Sequence, residues 1–344
     1  MNNTPEKKGI LLLNLGTPDS PTVSDVRKYL AEFLMDAYVI DINPIFRFLL
    51  VYGIILRTRP AKSAAAYKKI WTDRASPLLY FSQDLTTLIQ EQFTDAVVEL
   101  SMRYGNPSIE SALTKLRKKG ATSVVVVPLY PQYALASTES SIQRIKLLAT
   151  KICPKIKFTF YPAFYNDPHY IKAVATIGNS LIKQFKPDYS LMSFHGVPER
   201  HVKKTDPTKA HCLASPTCCD EITSVNANCY RAQSFATARA LAAKLELPQN
   251  KWSVAFQSRL GVTPWISPYT DIVLKELAEK GVKRLAVFCP SFVADCLETL
   301  EEIKIRARED FIKFGGEDLL LVPSLNAESE WVSALSAMLN EFQG

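Results

Sequence analysis

The chain predicts an α/β fold of two similar doubly wound lobes with parallel sheets and a cleft between them. Three observations carry this. Short β-branched and Leu-rich runs alternate with longer amphipathic stretches, the two halves of the chain carry matching signatures, and Gly and Pro punctuate the strand ends.

Candidate strands span 9–15, 97–102, 123–129 and 158–161 in the first half, and 189–194, 251–256, 285–289 and 319–322 in the second. Helical stretches lie between most of them, at 107–119, 138–150, 170–184, 231–245 and 267–280. Leu15-Gly16-Thr17-Pro18 ends the first strand of one half, and His195-Gly196-Val197-Pro198 ends the first strand of the other. Lys119-Gly120 then leads through an apolar run to Pro128, as Lys280-Gly281 leads to Pro290. A chance likeness of common strand-Gly-Pro patterns is the competing explanation. The lobes are expected at 1–163 and 164–324, with a C-terminal helix within 325–344 packing back on the first. Sheets of this kind bind ligands beyond the carboxyl ends of their strands.

Composition narrows the class. Hydrophobic residues make up 47% of the 344 and charged residues 22%, which suits a soluble protein with a substantial core. The net charge of +7 is spread along the chain rather than gathered in a stripe, so nucleic acid is not the expected partner. The apolar run after Lys7-Lys8 stops at Asn14, too short for a signal peptide. The next apolar stretch, 48–56, is far below the ~20 residues that span a bilayer, so a cytoplasmic protein is expected. Neither a G-x-G-x-x-G nor a G-x-x-x-x-G-K-[ST] loop is present, which disfavours a dinucleotide or ATP enzyme. Oligomeric state is open.

Several residues could carry chemistry. His195 ends a strand where side chains face the cleft, and an imidazole titrates near neutrality, as a general base requires; a hydrogen-bonded structural His fits equally well. Asp295, Glu298, Glu302 and Glu309 share one face if the stretch is a regular helix, with Glu301 opposite and solvated. A row of carboxylates can pass cations or protons, although an acidic face is commonly only a wet one. Tyr104, Tyr130, Tyr133, Trp265 and Phe292 could stack on a flat ligand or fill the core. The apolar segment 44–56 is either a buried helix or an exposed lip touching a membrane, and the lip is the preferred reading. Four of the seven cysteines, Cys212, Cys218, Cys219 and Cys229, fall in one polar segment, which suggests a metal.

Eight blocks then resemble the ferrochelatase family over essentially the whole chain. They are Leu12-Leu13-Asn14-Leu15-Gly16-Thr17-Pro18, Arg59-Pro60 with Tyr67, Met102-Arg103-Tyr104, and Pro128-Leu129-Tyr130-Pro131-Gln132-Tyr133 with Ser137-Thr138. The others are Ser193-Phe194-His195-Gly196-Val197-Pro198, Gln257-Ser258-Arg259, Thr263-Pro264-Trp265, and Asp295-Cys296-Leu297-Glu298-Thr299-Leu300. The resemblance implies two Rossmann-like, chelatase-type lobes and insertion of Fe2+ into protoporphyrin IX. It implies that His195 and Glu298 face the macrocycle and the incoming iron, with Asp295 and Glu302 continuing an acidic path. Leu15, Tyr67, Trp265 and Phe292 match positions that contact porphyrin, and Arg59 and Ser258 match positions near its propionates. Animal relatives carry His where Cys296 stands, and hold a 2Fe–2S cluster through a C-terminal tail and an internal Cys matched here by Leu135. The insertion 199–229 resembles that of bacterial members whose four internal cysteines hold the cluster, so a 2Fe–2S cofactor on Cys212, Cys218, Cys219 and Cys229 is expected. A zinc site using His211 is the alternative for the loop. Alternatives for the whole are a coproporphyrin chelatase, a porphyrin carrier without catalysis, and an iron–sulfur electron carrier.

Overall fold

The computed structural model describes residues 7–261 and 263–342. Each half of the chain forms a four-stranded parallel sheet. The first contains β1 (Lys8–Thr17), β2 (Val97–Gly105), β3 (Ser123–Pro128) and β4 (Lys157–Phe160), in the order β2-β1-β3-β4. The second contains β5 (Tyr189–His195), β6 (Trp252–Gln257), β7 (Arg284–Phe288) and β8 (Asp318–Leu321), in the order β6-β5-β7-β8. The two orders are the same permutation, so the matching signatures of the halves reflect a repeated architecture rather than chance.

The strands form where expected because parallel sheets are covered on both faces and demand nearly continuous apolar runs. Leu11, Leu12 and Leu13 of β1 and Leu191, Met192 and Phe194 of β5 have no exposed surface. In the first unit Leu11, Leu13, Val124 and Val126 pack with Leu113 and Leu116 of the helix Ile109–Lys118 and Ile145 of the helix Ser140–Ile152. In the second, Leu191, Leu285 and Val287 pack with Leu274, Leu277, Ile303 and Phe311. Local chemistry sets the helix starts: Thr22, Ser108 and Asp167 each accept a backbone N–H at an N-terminus, and Pro168 occupies the first turn.

The chain divides into two compact units, Met1–Tyr130 with Leu135–Ala163 and Met338–Gly344, and Pro131–Ala134 with Phe164–Ala337. The C-terminal segment 325–344 is therefore split between them. Its Trp331 is fully buried against Phe164 and Tyr170 of the second unit, whereas Phe342 lies 4.8 Å from the Tyr161 ring in the first.

One local expectation needs correction. The acidic stretch is not a regular helix from Asp295 onward: Leu297–Ala307 is a π-helix, followed by an α-helical turn Arg308–Lys313. Bonding from i to i+5 widens the turn and breaks the spacing that placed four carboxylates in line. Glu301, expected in solvent, is buried and pairs with Arg306 at 3.4 Å, while Glu309 is exposed. The segment 44–56 is helical through Pro44–Phe48 and Leu49–Ile55, and, as the preferred reading expects, most of its apolar side chains are exposed, with Val51 and Leu56 buried. Ile45, Phe46, Phe48, Leu49 and Ile54 are all more than half exposed, while Arg47 donates to the Ile40 carbonyl and anchors the segment's base. Among the described residues no helix is long and apolar enough to cross a membrane.

Gly16 closes the β1 end at a φ of +111°, where a Cβ would lie 1.8 Å from the Tyr104 carbonyl oxygen of the paired strand. Gly16→Ala should therefore cost about 3 kcal/mol or more, through backbone displacement and strain together. A urea-unfolding midpoint equal to that of the parent protein would refute this reading of the β1–β2 junction.

Candidate active site

The second sheet delivers its chemistry at the carboxyl ends of β5, β6 and β7. His195 is the last residue of β5 and pairs in register with Gln257, the last of β6. Its backbone N–H points to Ser291 Oγ at 3.3 Å, and Ser291 is held in turn by Tyr230 Oη at 2.8 Å. Its Nδ1 lies 2.5 Å from the Gly196 carbonyl oxygen. A carbonyl only accepts, so Nδ1 carries the proton and the neutral ring keeps its lone pair on Nε2. Gly196 is required on packing grounds: a Cβ there would lie 2.8 Å from the Gln257 carbonyl oxygen and 3.2 Å from the Trp265 ring. Trp265 is fixed by donating to the Leu260 carbonyl at 2.8 Å, and the Phe292 ring stands 6.1 Å from that of His195. The structure thus brings together His195, Trp265 and Phe292, three residues from separate sequence blocks.

The carboxylates divide into different roles. Asp295 precedes the π-helix and is buried, with Thr299 Oγ1 at 2.8 Å, Asn326 Nδ2 at 2.9 Å and the Ser324 N–H at 3.3 Å. Its oxygens are occupied in holding the helix start. Glu302 accepts from the Ser258 N–H at 2.9 Å and from the Ser258 hydroxyl. Burial pushes the Glu302 carboxyl above the ordinary range and Glu298 pushes the same way, while Ser258, His195 and Arg306 oppose them. Such a group takes a proton more readily than an exposed carboxylate. Ser258 thus donates to Glu302 through both its backbone and its hydroxyl.

Gln257 went unsingled in the sequence beyond its place in a block, yet it ties the region together. Its Oε1 accepts from Ser193 Oγ at 2.8 Å and faces Cys289 Sγ at 3.7 Å, and its Nε2 donates to the Glu298 carbonyl at 2.9 Å. A buried glutamine after an apolar strand was the available signal. Cys296, in the position that departs from animal relatives, is buried, and burial with the neighbouring Glu298 holds its thiol well above the usual range. The remaining expected contacts, Leu15, Arg59 and Tyr67, belong to the first unit. There Leu15 packs against the core, Tyr67 is buried with its ring 6.1 Å from Trp71, and Arg59 is exposed.

The insertion folds around two buried polar side chains. Asp206 accepts from the N–H groups of Thr208, His211 and Cys212 at 2.8–2.9 Å, and Asn226 Nδ2 donates to the Cys218 and Glu221 carbonyls. Cys212, Cys218, Cys219 and Cys229 are all buried free thiols. Cys218 and Cys219 sulfurs are 3.7 Å apart, Cys229 Sγ accepts from the Ala232 N–H at 3.5 Å, and Arg231 Nη1 donates to Cys219 at 3.1 Å. Burial pushes the Cys212 and Cys218 thiols up. His211 spends Nε2 on the Cys218 carbonyl at 3.1 Å. Among the described residues no three His, Cys, Asp or Glu side chains converge as a metal-ion site.

The family profile described as Ferrochelatase matches residues 7–342. A ferrochelatase of Coxiella burnetii (strain Dugway 5J108-111) is 47% identical over 333 residues, covering 96% of this chain and 93% of its own. One of Pseudomonas fluorescens (strain SBW25) is 48% identical over 330 residues, covering 96% of each. Among solved structures, SirB from Bacillus subtilis with Fe3+ superposes with a TM-score of 0.54 at 14% identity, over 97% of this chain and 95% of that one. The fold is thus shared with a chelatase of distant sequence, and with a family profile spanning residues 7–342 and 47–48% identity to two bacterial enzymes over nearly the whole length, the chain belongs to the ferrochelatase family, lyases that insert metal into porphyrin.

Proposed function

We propose that this ferrochelatase inserts Fe2+ into protoporphyrin IX to form protohaem, with His195 accepting pyrrole protons. The observation that carries this is the tautomer: with Nδ1 committed to the Gly196 carbonyl, Nε2 is the free basic atom at the carboxyl edge of β5. A porphyrin binds iron as a dianion, so two N–H protons must leave as the metal enters. An imidazole serves as their first acceptor because it exchanges protons near neutral pH. Glu302, whose burial raises its proton affinity, is the next station, and Glu298 lies beside it with its backbone carbonyl tied to Gln257. Glu298 and His195 are the proposed contacts of the substrate iron. Asp295 supports the path by holding the Thr299 hydroxyl in the first turn of the π-helix. Trp265, whose ring lies next to Gly196, and Phe292, whose ring stands 6.1 Å from that of His195, would press the macrocycle out of plane and turn its nitrogen lone pairs toward the metal.

Protoporphyrin is preferred to coproporphyrin because the exposed apolar surface at 45–54 suits a substrate drawn from a lipid surface. Coproporphyrin, with twice as many carboxylates, partitions into water. The same surface is the proposed peripheral membrane contact of a cytoplasmic protein.

We propose a 2Fe–2S cluster on the strength of the four-cysteine count and the usual Cys₄ donor set, although among the described residues these side chains do not converge as a metal-ion site. Cys212, Cys218, Cys219 and Cys229 would hold it, and its contribution would be to order the insertion, because iron insertion transfers no electron.

Replacing His195 with Ala should lower turnover roughly 10²–10⁴-fold while leaving porphyrin affinity within a few-fold. Retained insertion by this variant would remove His195 from the mechanism, and a variant indistinguishable from a parent that binds porphyrin without inserting iron would favour a carrier. Ferrous iron assayed with proto- and coproporphyrin should give the higher kcat/KM with protoporphyrin; the reverse order makes the protein a coproporphyrin enzyme. Ser at both Phe48 and Leu49 should release the protein from lipid vesicles and raise the apparent KM for vesicle-borne porphyrin only. Unchanged partitioning would leave the exposed segment without a membrane role. Protein purified without oxygen should be red-brown, with about two irons and two sulfides per chain; a colourless preparation carrying one zinc per chain would overturn the cluster.

A further inference from the structure

The central strand β5 is paired unequally on its two edges. Its ladder with β6 continues to His195 opposite Gln257, whereas its ladder with β7 ends at Met192 opposite Phe288. Successive N–H groups of a central strand alternate between its two neighbours. The Gly196 N–H goes to the Gln257 carbonyl on the β6 side, so the His195 N–H points to the β7 side, past the last rung that β7 supplies. A side chain takes the place of the strand there. Ser291, in the turn that follows β7, accepts the His195 N–H on its Oγ at 3.3 Å.

That turn is itself gripped by two buried phenols. Tyr170 Oη donates to the Pro290 carbonyl at 2.6 Å, and Tyr230 Oη lies 2.8 Å from Ser291 Oγ. Tyr230 is the first residue of the helix Tyr230–Lys244, so its ring is carried by a regular element rather than by the loop. From this geometry we propose that Tyr230 is a positioning residue for the proton acceptor, fixing the His195 peptide through Ser291. The proposal rests on the reading of His195 given above. A strand end held on one edge only is free to pivot. The partner of His195 Nδ1 is the Gly196 carbonyl, one peptide along, so a pivot separates ring and partner and releases the tautomer that leaves Nε2 basic. The same turn carries Phe292, whose ring stands 6.1 Å from the imidazole, so one pair of hydroxyls sets the base and its neighbour together.

Tyr230→Phe provides the test, since it removes one hydroxyl and keeps the ring. Its kcat for iron insertion should fall about tenfold, with the KM values for porphyrin and ferrous iron within about twofold of the parent. Ser291→Ala, placed away from the cysteines, should do the same, and the two changes together should cost no more than either alone. In protein labelled with 15N-histidine, the His195 resonances are identified by their loss in His195→Ala. They should report the Nδ1-protonated tautomer in the parent and a mixture in Tyr230→Phe. Parent-like kcat in both single variants, beside a disabled His195→Ala, would overturn the positioning role alone. Additive losses would show that the two hydroxyls act separately, which also overturns it. An unchanged tautomer with an activity loss that tracks a lower urea midpoint would make the pair merely structural. Normal insertion by His195→Ala would remove the reading of His195, and the positioning role would fall with it.

Discussion

Parallel pairing of buried strands is the constraint on which the rest of this structure depends. It brings the carboxyl ends of neighbouring strands out on one edge, where backbone groups no longer needed by the ladder become free to organise side chains. The His195–Gln257 pair is the last rung of the β5–β6 ladder. Immediately beyond it the Gly196 N–H continues to the Gln257 carbonyl at 2.7 Å, so the imidazole is borne by a backbone that is still hydrogen-bonded on the neighbouring strand. Slipping this register by one residue would turn His195 into the core and an apolar side chain toward the edge.

A second consequence is electrostatic. Carboxyl groups near one another and partly removed from water repel and lose hydration, and both effects favour protonation. The protein sets donors against this only selectively. Asp295 receives three and is committed to structure, Glu301 receives Arg306, and Glu302 receives Ser258 but stays above the ordinary range. The π-helix matters here because its wider turn redistributes residues that an α-helix would align. Glu301 is drawn inward, and Glu309 falls on the exposed turn that follows.

The insertion shows a different solution to ordering. Thirty-odd residues, regular only in the short helix Glu199–Lys204, separate the end of β5 from the long helix Tyr230–Lys244, far more than the ~2–6 residues of a usual βα connection. Buried Asp206 and Asn226 supply backbone partners from within, and the four thiols and Val202 are the insertion's buried apolar side chains. Arg231 and Arg239 reach back from the following helix to the sulfur and carbonyl of Cys219, tying the loop to a regular element.

The sequence by itself determined the repeated α/β architecture, the strand cores, His195 at a strand end and the family, because each rests on local apolar runs, turn residues and motif blocks. It left open whether 44–56 is buried, since its alternatives have the same composition and differ only in what covers them. It misplaced Glu301 because periodicity assumes 3.6 residues per turn, and nothing local announces the π-helix of Leu297–Ala307. The partnership of Ser258 with Glu302 was beyond it for a related reason. Apolar burial leaves a periodic trace along the chain, but a hydrogen bond between residues 44 positions apart depends on where two elements come to rest, and only the tertiary structure decides that.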